Sequence, residues 1–174
     1  MTELNNLEKR NLKSKIPQSL LIAGIISLLS TGSTILSSML SLVLGKPSEE
    51  EIMKSKLELA RPLEEAQKSN IEFLEKLIKN LQLMLDAMYA NFFMYSFVAF
   101  LVAAVGVAGI ILMFRRKEIG FHLYIIYSFL YIAQSYLFVS PTNVPLMLVL
   151  FNVVFSLIFI YIYSRSLNWF RKID

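Results

Sequence analysis

The chain predicts an all-α membrane protein: an antiparallel four-helix transmembrane bundle with an extracytoplasmic helical hairpin between its first and second spans. Three observations carry this reading. Hydrophobic residues make up 56% of the 174 positions, above the roughly 45–50% of an ordinary soluble domain. The charged residues, 17 Lys+Arg and 13 Asp+Glu, avoid four long apolar runs. Each run is long enough to cross ~30 Å of hydrocarbon as a helix rising 1.5 Å per residue.

The runs are Leu20 to Leu44, Phe92 to Phe114, Ile119 to Val139 and Val144 to Tyr163. With their flanks they define spans 18–45, 92–114, 119–139 and 143–164 in a single membrane domain covering 1–174. Backbone facing lipid must satisfy its own hydrogen bonds, and runs without period-2 alternation choose helix over barrel strand. A basic flank precedes the first run, as in a cleaved leader. No A-x-A-like site follows, and the run continues to Leu44, so the sequence predicts a retained span.

Charge sets the expected orientation. Lys9, Arg10, Lys13 and Lys15 precede the first span, Arg115-Arg116-Lys117 join the second to the third, and Arg165, Arg171 and Lys172 follow the fourth. The short connection Ser140 to Asn143 has no cation, and residues 46–91 carry 7 Lys/Arg against 9 Asp/Glu. The positive-inside rule then puts both termini in the cytoplasm of a cell with the protein in its inner membrane.

Residues 48–91 read as helix. Leu, Glu, Lys, Met, Ala and Gln dominate, and these are good helix formers. Ser48 with Glu51, and Ser69 with Glu72, have capping-box spacing, with Gln67-Lys68-Ser69 as the turn and Pro62 as a kink or restart. Ile71, Leu74, Ile78, Leu81, Leu85, Met88 and Phe92 make an a/d seam of three heptads. No break signal separates that seam from the second span, so one helix is expected from about Asn70 to Phe114. The partner leg has a poorer stripe, leaving Phe73, Leu77 and Met84 without an obvious cover. Apolar patches of that kind tend to be interaction sites.

Inside the membrane, Ala99, Ala103, Gly106 and Gly109 of the second span face the bulkier Tyr124, Tyr127 and Tyr131 of the third. A hairpin folded about Lys117 pairs Ala99 with Ser135, Ala103 with Tyr131, Gly106 with Ser128 and Ile110 with Tyr124. The same reasoning about Pro141-Thr142 puts Tyr131 level with Asn152 and Tyr127 with Ser156, with Gln134 a turn away. Tyr127, Tyr131, Gln134, Asn152 and Ser156 form the strongly polar cluster at membrane depth. Such a cluster is either interhelical glue or a small cavity for a ligand or lipid headgroup. The first span is rich in hydroxyls, and Ser30-Thr34-Ser38 follows small-xxx-small spacing, which suits close packing against a neighbour, including one from another subunit.

The available chemistry is narrow. No Asp, Glu, Lys or Arg lies within a span, although coupled transport and voltage sensing normally leave one there. Cys is absent and His122 is the single histidine, so Cys zinc sites and multi-His metal sites are excluded. No phosphate loop or nucleotide motif occurs. The expectation is a protein without enzymatic activity or cofactor, with membrane lipids, other membrane subunits or a second copy as partners, and no nucleic acid.

The stretch Arg116-Lys117-Glu118-Ile119-Gly120-Phe121-His122-Leu123-Tyr124, with the tail Tyr163-Ser164-Arg165-Ser166-Leu167-Asn168, resembles small uncharacterised four-span inner-membrane proteins of Bacteroidota-type bacteria. The resemblance covers the C-terminal half. It implies an inner-membrane location and carries no activity. Two functions follow as expectations. One is an accessory or assembly subunit, binding through Ser30, Thr34 and Ser38 and through Phe73, Leu77 and Met84. The alternative is a lipid or small-molecule binder, or a channel, built on the polar cluster.

Overall fold

The computed structural model describes residues 16–170. The cations at 9, 10, 13, 15, 171 and 172 that enter the orientation argument lie outside them. The described chain is helical, without strands: α1 Gln18–Leu44, α2 Glu49–Lys68, α3 Glu72–Ala90, α4 Phe92–Phe114, α5 Ile119–Ala133, α6 Ser135–Phe138, a 3-10 turn Pro141–Asn143, α7 Leu146–Ser164 and α8 Leu167–Phe170. Four helical stretches are long and apolar enough to cross a membrane: α1, α4, Ile119–Phe138 and α7.

Pro17 precedes α1, where a missing N–H costs nothing, and Gly45 ends it at a φ of 86°. The capping box at α2 forms as the sequence predicts. Ser48 Oγ accepts from the Glu51 N–H, and the Glu51 carboxylate accepts from the Ser48 N–H at 2.9 Å. The Ser48 hydroxyl also donates to that carboxylate at 3.0 Å, and the two donations from Ser48, the backbone one foremost, hold the Glu51 carboxyl below its ordinary pKa.

The second predicted box does not form. Helix α2 runs unbroken through Pro62 to Lys68, and Ser69 and Asn70 are used to end it. Asn70 adopts a φ of 52°. Its N–H bonds to Gln67 O and the Ile71 N–H to Ala66 O, the paired bonds of a Schellman stop. Ile71, without a side-chain cap, then precedes α3. Helices α2 and α3 pack along one another, with Lys56 Nζ 2.6 Å from Asp86 Oδ1 and the Tyr89 hydroxyl donating to Ser55 Oγ at 3.5 Å.

The expected continuous helix from Asn70 to Phe114 is broken at Asn91. Its backbone leaves the helical region (φ −113°, ψ 33°), and its side-chain amide donates to Ala87 O at 3.0 Å. Asn side chains compete in this way for helix carbonyls. A straight continuation would hold Phe73 about 28 Å beyond Phe92. Instead Phe73, Leu77 and Asn80 lie beside Tyr136, Pro141 and Pro145, so α3 folds over the 136–147 segment.

Packing is tightest at the opposite end, around 110–124 and 163–170. Leu20, Ile110, Met113, Phe121, Tyr163 and Phe170 are buried together. Helix α4 ends there in a second Schellman stop, with Arg116 at a φ of 60° and the Lys117 N–H bonded to Leu112 O at 2.8 Å. Small residues set the α4–α5 separation. A Cβ on Gly120 would sit 2.5 Å from Gly109 O and Met113 N, and one on Gly106 would sit 2.8 Å from the Tyr127 ring. The small stripe does turn inward, with Ala103 only 2% exposed. Its register is one residue from expectation: Gly106 meets Tyr127 instead of Ser128. Helix α7 packs against α5 and α1, and Tyr163 alone among its residues is buried.

Candidate functional site

Three hydroxyls from three helices meet near the tight end. The Tyr163 hydroxyl donates to Ser27 Oγ at 2.8 Å, and Ser27 Oγ shares a 3.3 Å hydrogen bond with the Tyr124 hydroxyl. Thr31 Oγ1 donates to Ser27 O and Ser128 Oγ to Tyr124 O, so these two hydroxyls are satisfied by bonding back one turn within their own helices. The Tyr124 and Tyr163 rings lie edge to face with centroids 4.6 Å apart. This knot ties α1, α5 and α7 and closes the bundle. Sequence reasoning missed it. Tyr163 appears in the sequence only as the end of the fourth apolar run, and its partner depends on the register of three helices.

Beyond the knot the helices separate. A cleft of about 450 Å³ is bounded by Ile26 to Thr31 on α1, Tyr124 to Tyr131 on α5 and Asn152 to Phe159 on α7. Its lining includes Tyr127, Tyr131, Asn152 and Ser156 from the sequence-derived polar cluster, and Ser30 from the first span. The side chains of Ser30, Tyr127, Tyr131, Asn152 and Ser156 make no hydrogen bond among the described residues. Tyr131 and Asn152 both line this cleft, with no hydrogen bond between them.

A second cavity of about 330 Å³ lies further from the knot, bounded by α1, α4, α5 and the end of α3. Thr34, Ser37, Ser38 and Ser41 of α1 face Ser96, Tyr95 and Gln134 across it. Thr34 and Ser37 donate to Ser30 O and Thr34 O in their own helix. Gln134, at the irregularity between α5 and α6, is 8% exposed, and its Oε1 is buried with no hydrogen-bond partner among the described residues. Tyr131 lines both spaces. On α1 the two spaces occupy successive turns, so together they run about 20 Å along the helix from Ser27 to Ser41.

The remaining sequence-derived positions divide between these spaces and the α3 surface. Ser30 opens on the cleft, while Thr34 and Ser38 line the second cavity. Phe73, 61% exposed, and Leu77 border a groove against Pro141 and Met147, and Met84 is half-buried in α3. His122, near the start of α5, has Nδ1 3.2 Å from Glu118 O. Neither cavity contains an ionisable acid or base other than tyrosine. The arrangement offers hydroxyl and amide hydrogen bonds, ring faces and aliphatic surface, and no charge.

No protein-family model, curated protein or solved structure matches the chain.

Proposed function

We propose that this is a multi-pass membrane protein that binds an uncharged, mostly apolar molecule inside its bundle, without enzymatic activity. Its four spans form an antiparallel bundle, with α2 and α3 as an extracytoplasmic hairpin folded over it. It sits in the inner membrane with both termini cytoplasmic, a placement supported by the cations at Arg115, Arg116, Lys117 and Arg165. The observation that carries the reading is the cleft between α1, α5 and α7, where five polar side chains have no hydrogen bond among the described residues. Unpaired polar groups at hydrocarbon depth are costly. A cavity of this size is in the ~300–1,000 Å³ range of small-molecule sites. A ligand with hydrogen-bonding groups, admitted laterally between α1 and α7, relieves that cost.

The second reading is the accessory subunit. It is supported by the exposed ring of Phe73 and by α7, whose apolar face apart from Tyr163 has no cover among the described residues. Purification from native membranes in mild detergent separates the two. The binding reading expects an uncharged amphiphile extracted from the wild-type protein at near-equal amount, and lost from Ser156→Trp, which fills the cleft. A stoichiometric protein partner that Phe73→Ser releases, with no retained amphiphile, would overturn it in favour of the accessory role.

A further inference from the structure

We infer that the α2–α3 hairpin is a hinged lid over a hydroxyl-lined chamber that takes small uncharged polar molecules from the aqueous phase. The chamber is the cavity between α1, α4 and α5, apart from the cleft. From the reading above the inference takes only the hairpin's place outside the membrane.

Helix α3 supplies one wall of this cavity, through Leu85, Met88 and Tyr89. The hairpin holds together as a unit. Lys56 pairs with Asp86, Tyr89 bonds to Ser55, and Ala66 and Ile78 are buried. Its hold on the spans is different in kind. Among the described residues no side-chain hydrogen bond or ion pair joins α2 or α3 to α1, α4, α5 or α7. A groove of about 370 Å³ beside Phe73 and Leu77 is left unfilled against Pro141 and Met147. Both ends of the hairpin can turn. Gly45 has a φ of 86°, a state that glycine adopts at no steric cost, and no atom within 4 Å of an added Cβ. Asn91 has left the helical region and is held by one side-chain bond to Ala87 O. A rigid unit joined through a few such terminal residues has the build of a hinged closure. Elements with few buried contacts are those that open at low free-energy cost.

The chamber wall decides what enters. Ser38 of α1 and Ser96 of α4 are both buried and both line it. Their hydroxyls make no hydrogen bond among the described residues and, unlike Gln134 Oε1, keep some accessible surface. Each can give one hydrogen bond and accept others, so a polar guest meets partners there. An ion does not. No Asp, Glu, Lys, Arg or His lines the cavity, and a charge buried there without a counter-charge is far more costly than a hydroxyl. The cavity of about 330 Å³ has room for several waters at about 30 Å³ each, or for one small polyol.

The test measures how fast single cysteines react with 2-hydroxyethyl methanethiosulfonate in the full-length protein in detergent, each introduced alone into a chain without Cys. Ser38→Cys and Ser96→Cys sample the chamber, and Ser156→Cys samples the cleft, which α3 does not line. Two variants open the lid by different routes. Asn91→Ala removes the bond to Ala87 O, and Met88→Asp puts a carboxylate on the lid's underside. Each is expected to speed both chamber cysteines about fivefold or more, the worth of one hydrogen bond, and to leave Ser156→Cys unchanged. In Asn91→Ala the neutral reagent is expected to outpace its sulfonatoethyl analogue at Ser38→Cys by about tenfold or more, each relative to free cysteine, because the sulfonate enters without a counter-charge. Chamber rates that neither variant moves, or that rise in step with Ser156→Cys, would overturn the lid and leave the cleft reading standing. Equal relative rates for the two reagents would overturn the assignment to uncharged molecules.

Discussion

The Tyr163 hydroxyl donates to Ser27 Oγ at 2.8 Å across 136 residues of sequence, and the bond joins the first and last spans where α7 is otherwise thinly held. Ser27 also serves Tyr124, so its loss strands two tyrosine hydroxyls while loss of the Tyr163 hydroxyl strands none. Ser27→Ala is expected to cost about 1–2 kcal/mol and Tyr163→Phe about 0.5–1 kcal/mol, given bonds worth roughly 0.6 kcal/mol in membranes and the added cost of orphaned groups. The double variant should fall short of additivity. Unfolding midpoints in SDS titrations measure all three. Equal, additive losses would mean the three hydroxyls do not act as a unit.

The crossing of α4 and α5 depends on backbone approaching backbone. A Cβ on Gly120 meets Gly109 O and Met113 N, which cannot rotate away. Gly120→Ala is therefore expected to destabilise by about 1–3 kcal/mol, as overpacking typically does. Gly32 has no neighbouring atom within 4 Å of its added Cβ, so Gly32→Ala should be neutral or slightly stabilising through helix propensity. Thermal midpoints of the two variants check the contrast, and similar losses in both would contradict the crossing.

The break at Asn91 fixes where α3 lies. Since the chain has no Cys, a pair of spin labels at introduced Phe73→Cys and Thr142→Cys reports on it cleanly. The folded-over position predicts a distance under about 20 Å, because Phe73 and Thr142 border one groove. A rigid extension of α4 predicts more than about 30 Å. The short distance should lengthen in Asn91→Ala, which removes the side-chain bond to Ala87 O.

Glu51 couples the start of α2 to pH. Its carboxyl is held below the ordinary value by donation from the Ser48 backbone and hydroxyl. A folded pKa beneath the unfolded one means the stabilisation is complete at neutral pH and is lost as pH falls through the acidic carboxylate range. Amide exchange in the first turn of α2 should accelerate over that range relative to the neighbouring turns, and Glu51→Gln should blunt the response. Because Glu51 is fully exposed, the effect is local to that turn.

Most of the helical outline was legible because exclusion of charge from hydrocarbon is a large, local and additive signal. Gln18–Leu44 and Phe92–Phe114 start and stop within two residues of the apolar runs. Three features escaped for physical reasons. Ser69-Asn70 carries both a helix-start and a helix-stop pattern, and the stop prevails since Asn tolerates positive φ. Asn91 bends the chain without Pro or Gly, so the α3 seam reads straight on into α4. Gly106 lies against the Tyr127 ring, one residue from the Ser128 that a turn about Lys117 predicts. Of the site, Tyr127, Tyr131, Asn152 and Ser156 were found by depth alone. That Gln134 faces a different cavity, and that Ser27 and Tyr163 share a bond, depends on how far three helices splay, which no single segment encodes.

The proposed function requires the cleft between α1, α5 and α7 to hold a molecule. Native mass spectrometry of the full chain released from lipid nanodiscs tests it most directly. The account predicts a protein ion carrying one uncharged amphiphile, reduced to bare protein in Ser156→Trp while the fold is retained. A wild-type ion with no adduct, or the same adduct surviving undiminished in folded Ser156→Trp, would contradict it.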